Sequence, residues 1–274
     1  MTSIELKEKC KDIRKDILSV LCAAGSGHSG GSLSSVEIMV SLYYDVMKTD
    51  PEWKNNNRDR FVLSKGHAAP CLYAVLADLG YFPKEELYSL RKLHSRLQGH
   101  PDSKKLPGVE ISTGSLGQGV SIATGMALAA KKQGNGVKVY TLVGDGESDE
   151  GLVWEAAEAA AHFHLDNLTV IIDRNRLQLD GPCTEIMDNL DLVEKYKAFG
   201  FDAVRVEDGN DIDQVLSALK APIIPGKPRC IVAETVKGKG VSFMENQVGW
   251  HGAAPKKEQL EAALLELEGD MVNE

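Results

Sequence analysis

Two short segments of this 274-residue sequence bring together residue types suited to holding a hard cation and a phosphate group. The first is Gly144-Asp145-Gly146-Glu147, the second Asp173-Arg174-Asn175. A carboxylate and an amide oxygen, with a backbone carbonyl, suit Mg²⁺, which takes few oxygen ligands from protein and fills the rest with water and phosphate oxygens. The flanking glycines let backbone approach a diphosphate, and a helix starting at Gly151 would turn its N-terminus toward it. Taken singly, each segment has a plainer reading: GDG is a tight turn and Asn175 a loop residue, since turns favour Gly and Asp.

The two segments can act together only if the elements before them are neighbouring strands. Residues 137–143 (VKVYTLV) and 168–173 (LTVIID) are short, β-branched and bounded by turn residues, as buried parallel strands are. The alanine-rich run 151–165 between them predicts a crossover helix. Strand signals recur at 201–206 and 230–236, with helices at 191–199 and 211–219 and a proline-bearing connection at 220–228. The first hundred residues are helical in pattern, at 4–24, at about 35–47 and 67–79, and from Pro83 onward. The fold class is therefore α/β, a parallel sheet flanked by helices with a helical N-terminal region, in one domain spanning residues 1–274. In such sheets ligands bind beyond the carboxyl ends of the strands, which is where Asp145 and Asn175 fall.

Composition narrows the function. A net charge of −9 and the lack of a Lys/Arg cluster argue against nucleic acid. No apolar run reaches membrane length and the N-terminus carries both signs of charge, so a cytoplasmic protein is expected. Five cysteines without metal spacing are expected to be reduced and structural. Residues 25–30 formally fit GxGxxG, but they follow a predicted helix instead of a strand, which argues against dinucleotide binding.

GDG followed at this distance by an asparagine resembles the thiamine-diphosphate signature, and seven ordered segments narrow the resemblance to the transketolase family. They are SGHSGGSLS (26–34), SKGHAAP (64–70), QGHP (98–101), STGSLGQG (112–119), GDGESDEG (144–151), DRNRLQLDG (173–181) and WHGAAP (250–255). The resemblance implies a thiamine-diphosphate-binding fold of the PP type, with thiamine diphosphate and Mg²⁺ (or Ca²⁺) as cofactors. It implies Asp145, Asn175 and the Leu177 carbonyl as metal ligands, and His67 and His251 against the diphosphate. His251, His28 and His100 would line the substrate channel. Gly114, Ser115 and Leu116 would cradle the aminopyrimidine side, and Gly144 and Gly146 would flank the diphosphate. Glu150 would help position, across an interface, the glutamate that activates the pyrimidine. Imidazoles suit the task of moving protons on sugar hydroxyls near neutral pH.

The same resemblance implies a reversible transfer of a two-carbon ketol group from a ketose phosphate to an aldose phosphate, as in the pentose phosphate pathway. Because the sequence ends at Glu274, the chain is expected to need a C-terminal pyrimidine-domain subunit, two copies of each forming a heterotetramer. That subunit would carry the residues gripping the substrate phosphate. The small-residue run 119–130 suits either such an interface or an ordinary buried helix. Alternatives are a half-subunit that works on another sugar, deoxyxylulose-phosphate-synthase-like, or a noncatalytic cofactor-binding partner. Ser29 and Ser115 stand where many transketolases have proline. His94, His162 and His164 match nothing in the family and are expected at the surface or in helix packing.

Overall fold

The computed structural model describes residues 1–269. Helix α1 (Ser3–Ala24) opens with a capping box, in which the Thr2 hydroxyl accepts the Glu5 amide and the Glu5 carboxylate accepts the Thr2 amide. It stops at Gly25, whose φ of 64° is the left-handed cap that glycine adopts without a Cβ penalty. No strand precedes Gly25, so residues 25–30 do not form a dinucleotide-binding turn. Then come α2 (Ser29–Leu33), α3 (Val36–Ser41) running into a π turn, β1 (Arg60–Leu63), α4 (Ala69–Asp78), α5 (Gln118–Gln133), β2 (Val139–Gly144), α6 (Gly151–His162) and β3 (Leu168–Arg174). The chain continues through α7 (Cys183–Ile186), α8 (Leu192–Ala198), β4 (Asp202–Val206), α9 (Ile212–Lys220), β5 (Arg229–Glu234) and α10 (Lys257–Gly269).

The four expected strands form, to within two residues at their ends, and a fifth joins them. Strand β1, only four residues long, was not expected. The helix predicted from Pro83 is a 3-10 turn, Lys84–Ser89, and α2, α7 and α10 were also not foreseen. All five strands are parallel, in the order β1-β2-β3-β5-β4. Alternation along the strands divides the core. Val139, Val143, Val170, Ile172 and Val232 pack with residues of α5, α6 and α8, while Tyr140, Leu142, Ile171 and Ile231 pack with those of α1, α3, α4 and α9. The buried Arg14–Glu37 pair, 2.7 Å apart, ties α1 to α3, and removing one partner would cost about 3–5 kcal/mol.

Helix α5 uses its small residues on one face. Gly119 lies on Ser64, whose Cα is 2.6 Å from where a Cβ would stand, and Ala123 and Ala127 are fully buried. Its opposite face stays open, with free space around Gly125. The five cysteines are free.

Candidate active site

Strands β2 and β3 are neighbours, with Gly144 opposite Asp173 in the register, so the loops that follow them leave the sheet side by side. The Asp145 amide donates to the Asp173 carbonyl, and the Asp145 carboxylate takes the amides of Gly146 at 2.8 Å and Arg176 at 2.5 Å. Asn175 is buried beside it, its Oδ1 accepting the Leu177 amide. Asp145 is 3% exposed and forms no ion pair among the described residues. Burial, and then the Asp173 carboxylate, push its pKa up to about 6. An ionised carboxylate kept from water without a counter-charge is costly, so the site favours a cation.

Among the described residues no three His, Cys, Asp or Glu side chains converge as a metal cluster. One carboxylate, one amide oxygen and the Leu177 carbonyl instead make the sparse oxygen set that Mg²⁺ completes with phosphate and water. The residues fit the group. A cavity of about 240 Å³ is lined by Asp145, Asn175, Leu177, Gly144, Gly146, Leu116, His67 and His251. A wider cleft of about 670 Å³ is also lined by Asp145, Asn175 and Leu177.

Charged groups that the sequence reading missed frame the cavity. Lys237, 1% exposed, lies 2.8 Å from Nδ1 of His251 and donates to the Leu177 carbonyl at 3.1 Å, leaving that oxygen a second lone pair. Burial pulls the Lys237 pKa down to about 8. Lys65 is buried against Asp173, which also accepts from Thr235 and Ser34. Burial would raise the Asp173 carboxyl, but the Lys65 ammonium outweighs it and holds the carboxyl below the usual range. Glu147, also buried, accepts from Ser64 at 2.5 Å, the Gly117 amide at 2.9 Å and the Gly144 amide at 3.0 Å, joining the GDG loop to the STGSLG loop. Only the buried GDGE run itself could have flagged Glu147. Lys65 lies in the SKGHAAP segment but its partner Asp173 is 108 residues away, and nothing local marks Lys237, which reaches the Leu177 carbonyl 60 residues back.

The four histidines singled out converge. Ring centroids are 5.3 Å apart for His67 and His251, 5.3 Å for His28 and His67, 5.7 Å for His28 and His251, and 6.1 Å for His28 and His100. Burial and neighbouring cations hold His28 and His251 at about 4, His67 well below its ordinary value, and His100 below it as well. All four are neutral imidazoles at pH 7, able to accept or donate. His94, His162 and His164 are exposed elsewhere. Within residues 114–116 only Leu116 lines the cavity. Gly114, at φ 142°, backs His100 so closely that a Cβ would stand 2.9 Å from its ring, and Ser115 is exposed. Glu150 is exposed at the start of α6, its Cβ against Gly117.

The chain is similar to known proteins along nearly its whole length. The family model described as transketolase, thiamine diphosphate binding domain, matches residues 7–269. One of the subunits of the apulose-4-phosphate transketolase of Actinobacillus succinogenes is 45% identical over 269 residues, 97% of each chain. The 6-deoxy-6-sulfo-D-fructose transketolase subunit SqwG of a Clostridium species is 44% identical over the same share. The fold superposes on the crystal structure of a Pichia stipitis transketolase mutant with a TM-score of 0.90 at 31% identity, covering 97% of this chain and 41% of that one.

Proposed function

This chain belongs to the family of transketolase thiamine-diphosphate-binding domains, and from that membership we propose that it is the N-terminal subunit of a split transketolase. It would transfer a two-carbon ketol group reversibly between a ketose phosphate and an aldose phosphate, together with a C-terminal subunit that supplies the pyrimidine-activating glutamate. The observation that carries the proposal is Asp145, a buried carboxylate with no ion pair among the described residues, in the lining of a cavity that neutral imidazoles and an ammonium share.

Asp145, Asn175 and the Leu177 carbonyl would hold Mg²⁺ or Ca²⁺, while Lys237, His67 and His251 would take the diphosphate between Gly144 and Gly146. Bound thiamine diphosphate supplies the nucleophilic carbon that makes and breaks the carbon–carbon bond beside a carbonyl. The chain's own part is to exclude water, orient the sugar and move protons. His28 and His100, held neutral, would serve the sugar hydroxyls first as base and then as acid. Leu116 would face the aminopyrimidine side, with Gly114 holding the His100 ring beside it and Ser115 exposed between them, and Glu150 would meet the partner's glutamate.

An obligate partner is supported by the apolar side chains left exposed near the cavity, among them Leu179, Met187 and Leu190, and by the open face of α5. Two copies of each subunit would form a heterotetramer. One domain over residues 1–274 completes this reading, residues 270–274 lying outside the described ones. No described helix is long and apolar enough to cross a membrane, and the free cysteines support a reducing, cytoplasmic setting.

The sugar is a separate question, and the relatives' names favour ketoses ending in phosphate or sulfonate over the pentose phosphate pathway alone. The convergence of four histidines favours a catalytic over a purely structural role. The test is reconstitution: the chain with thiamine diphosphate and Mg²⁺, with and without the C-terminal subunit, assayed for ketol transfer. Transfer only by the mixture, lost on Asp145→Ala or His67→Ala, is expected. Absence of cofactor binding by the mixture would remove the reading.

A further inference from the structure

Arg91 stands apart from the other arginines. The chain has nine, and eight lie within 4.0 Å of a carboxylate: Arg14, Arg58, Arg60, Arg96, Arg174, Arg176, Arg205 and Arg229. Arg91 pairs with none among the described residues. Its backbone is left-handed, φ 59°, in a turn closed by its amide on the Leu97 carbonyl at 2.9 Å. That conformation is uncommon for a residue with a side chain and persists where the surroundings enforce it. The guanidinium lies against Gly99, where a Cβ would stand 2.8 Å from Nη2, and a Cβ on Gly27 would stand 4.0 Å from Nε. These glycines immediately precede His100 and His28.

The groups therefore follow an order. His67 and His251 line the cavity with Asp145, His28 stands against both, His100 lies beyond His28, and Arg91 rests on the loops that carry the outer two. A sugar whose reacting carbons meet the cofactor end would run past His28 and His100 with its far end toward an unpaired guanidinium. The fork of that group matches tetrahedral oxyanions with two parallel hydrogen bonds. Burial first and the Arg91 charge second depress His28, and the same causes in the same order depress His100, which agrees with the placement.

We propose that Arg91 is a specificity-determining residue that binds the terminal phosphate or sulfonate of the sugar, so that this chain contributes to an anion grip otherwise expected on the partner subunit. The proposal rests on the reading of the chain as half of a ketol-transfer site.

The experiment measures calorimetric affinity of the assembled pair, loaded with thiamine diphosphate and Mg²⁺, for ribose 5-phosphate and for ribose. Wild type is expected to prefer the phosphorylated sugar, and Arg91→Leu to reduce that preference about 10- to 100-fold, the usual worth of a charge-assisted bond. Arg91→Lys keeps charge without the fork, should lose part of the preference, and serves alone if the leucine variant does not fold. An unchanged preference in the variants, or none in wild type, overturns the proposal; equal losses for both sugars would mean that Arg91 only props the histidine loops. Ketol transfer by wild type is measured separately. Its absence beside an Arg91-dependent preference removes the parent reading alone, and its presence beside an unchanged preference removes this one alone.

Discussion

The Lys237 ammonium lies 2.8 Å from Nδ1 of His251. An ammonium has donors and no lone pair, so Nδ1 must accept, and His251 is the neutral tautomer with its proton on Nε2. The pair presents one cation and one fixed N–H donor to the cavity that both residues line. Burial first and Lys237 second hold the His251 pKa at about 4. Lys237→Met should let it rise toward its ordinary value, though not fully, because burial remains. Cofactor affinity should fall by about tenfold or more through the lost charge-assisted bond. An NMR titration of His251 with calorimetry checks both, and a ring that still titrates near 4 would contradict the assignment.

Asp145 makes cation binding pH-dependent in a definite direction. Its folded-state pKa, raised to about 6, means that below pH 6 a cation must displace a proton. Apparent Mg²⁺ affinity at saturating cofactor should be flat above pH 7 and fall about tenfold per pH unit below 6, after correction for the cofactor's own titration. The stability sign is opposite to that of a paired carboxylate. The group's contribution is fully present below its unfolded value near 4 and lost as pH rises through about 6. Mg²⁺ with cofactor should therefore raise the melting temperature more at pH 7.5 than at pH 5, and an equal rise at both would count against Asp145 as a ligand.

Glu147 binds two loops through one carboxylate. Its oxygens take Ser64, the Gly117 amide and the Gly144 amide, all donors, in a buried setting. Glu147→Gln is nearly isosteric but turns an NH₂ toward at least one N–H or O–H. The expected cost is about 1.5–3 kcal/mol, with weaker cofactor binding because the Leu116 loop and the GDG loop part. Thermal unfolding and cofactor titration measure the two effects. Full stability in the glutamine variant would show that the carboxylate is dispensable.

What the sequence reading reached and what it missed divide along physical lines. Strands β2 and β3 and the histidine loops were legible because β-branched runs, glycines and GH pairs are local signals. The pairing of Lys65 and Thr235 with Asp173, and of Lys237 with the Leu177 carbonyl, was not, since these partners lie 108, 62 and 60 residues apart along the chain. Strand β1 is four residues long and its first, Arg60, closes the charged stretch 58–60, leaving too short a run for period-two alternation to register. Pro83 does sit at the start of a helical turn, but that turn is 3-10 and ends within six residues. The buried-helix reading of residues 119–130 holds for the face packed on the sheet, while the face around Gly125 is open.

Ser29, where proline is common in the family, supplies a tie that proline cannot. Its hydroxyl donates to the Ala253 carbonyl at 2.7 Å and its amide approaches the same oxygen at 3.4 Å, joining the loop that carries His28 to the loop that carries His251. Ser29 opens α2, and proline is tolerated at a first helical position, so Ser29→Pro should leave the fold and melting temperature nearly unchanged. Both donors would be lost, and the Ala253 carbonyl would turn to solvent. Amide exchange at residues 251–254 should quicken, and kcat should fall several-fold through looser spacing of the two imidazoles. Ser29→Ala keeps the weaker amide contact and should fall between the two. Unaltered exchange at 251–254 in the proline variant would mean that other contacts, such as Lys237 on His251, already hold the loop.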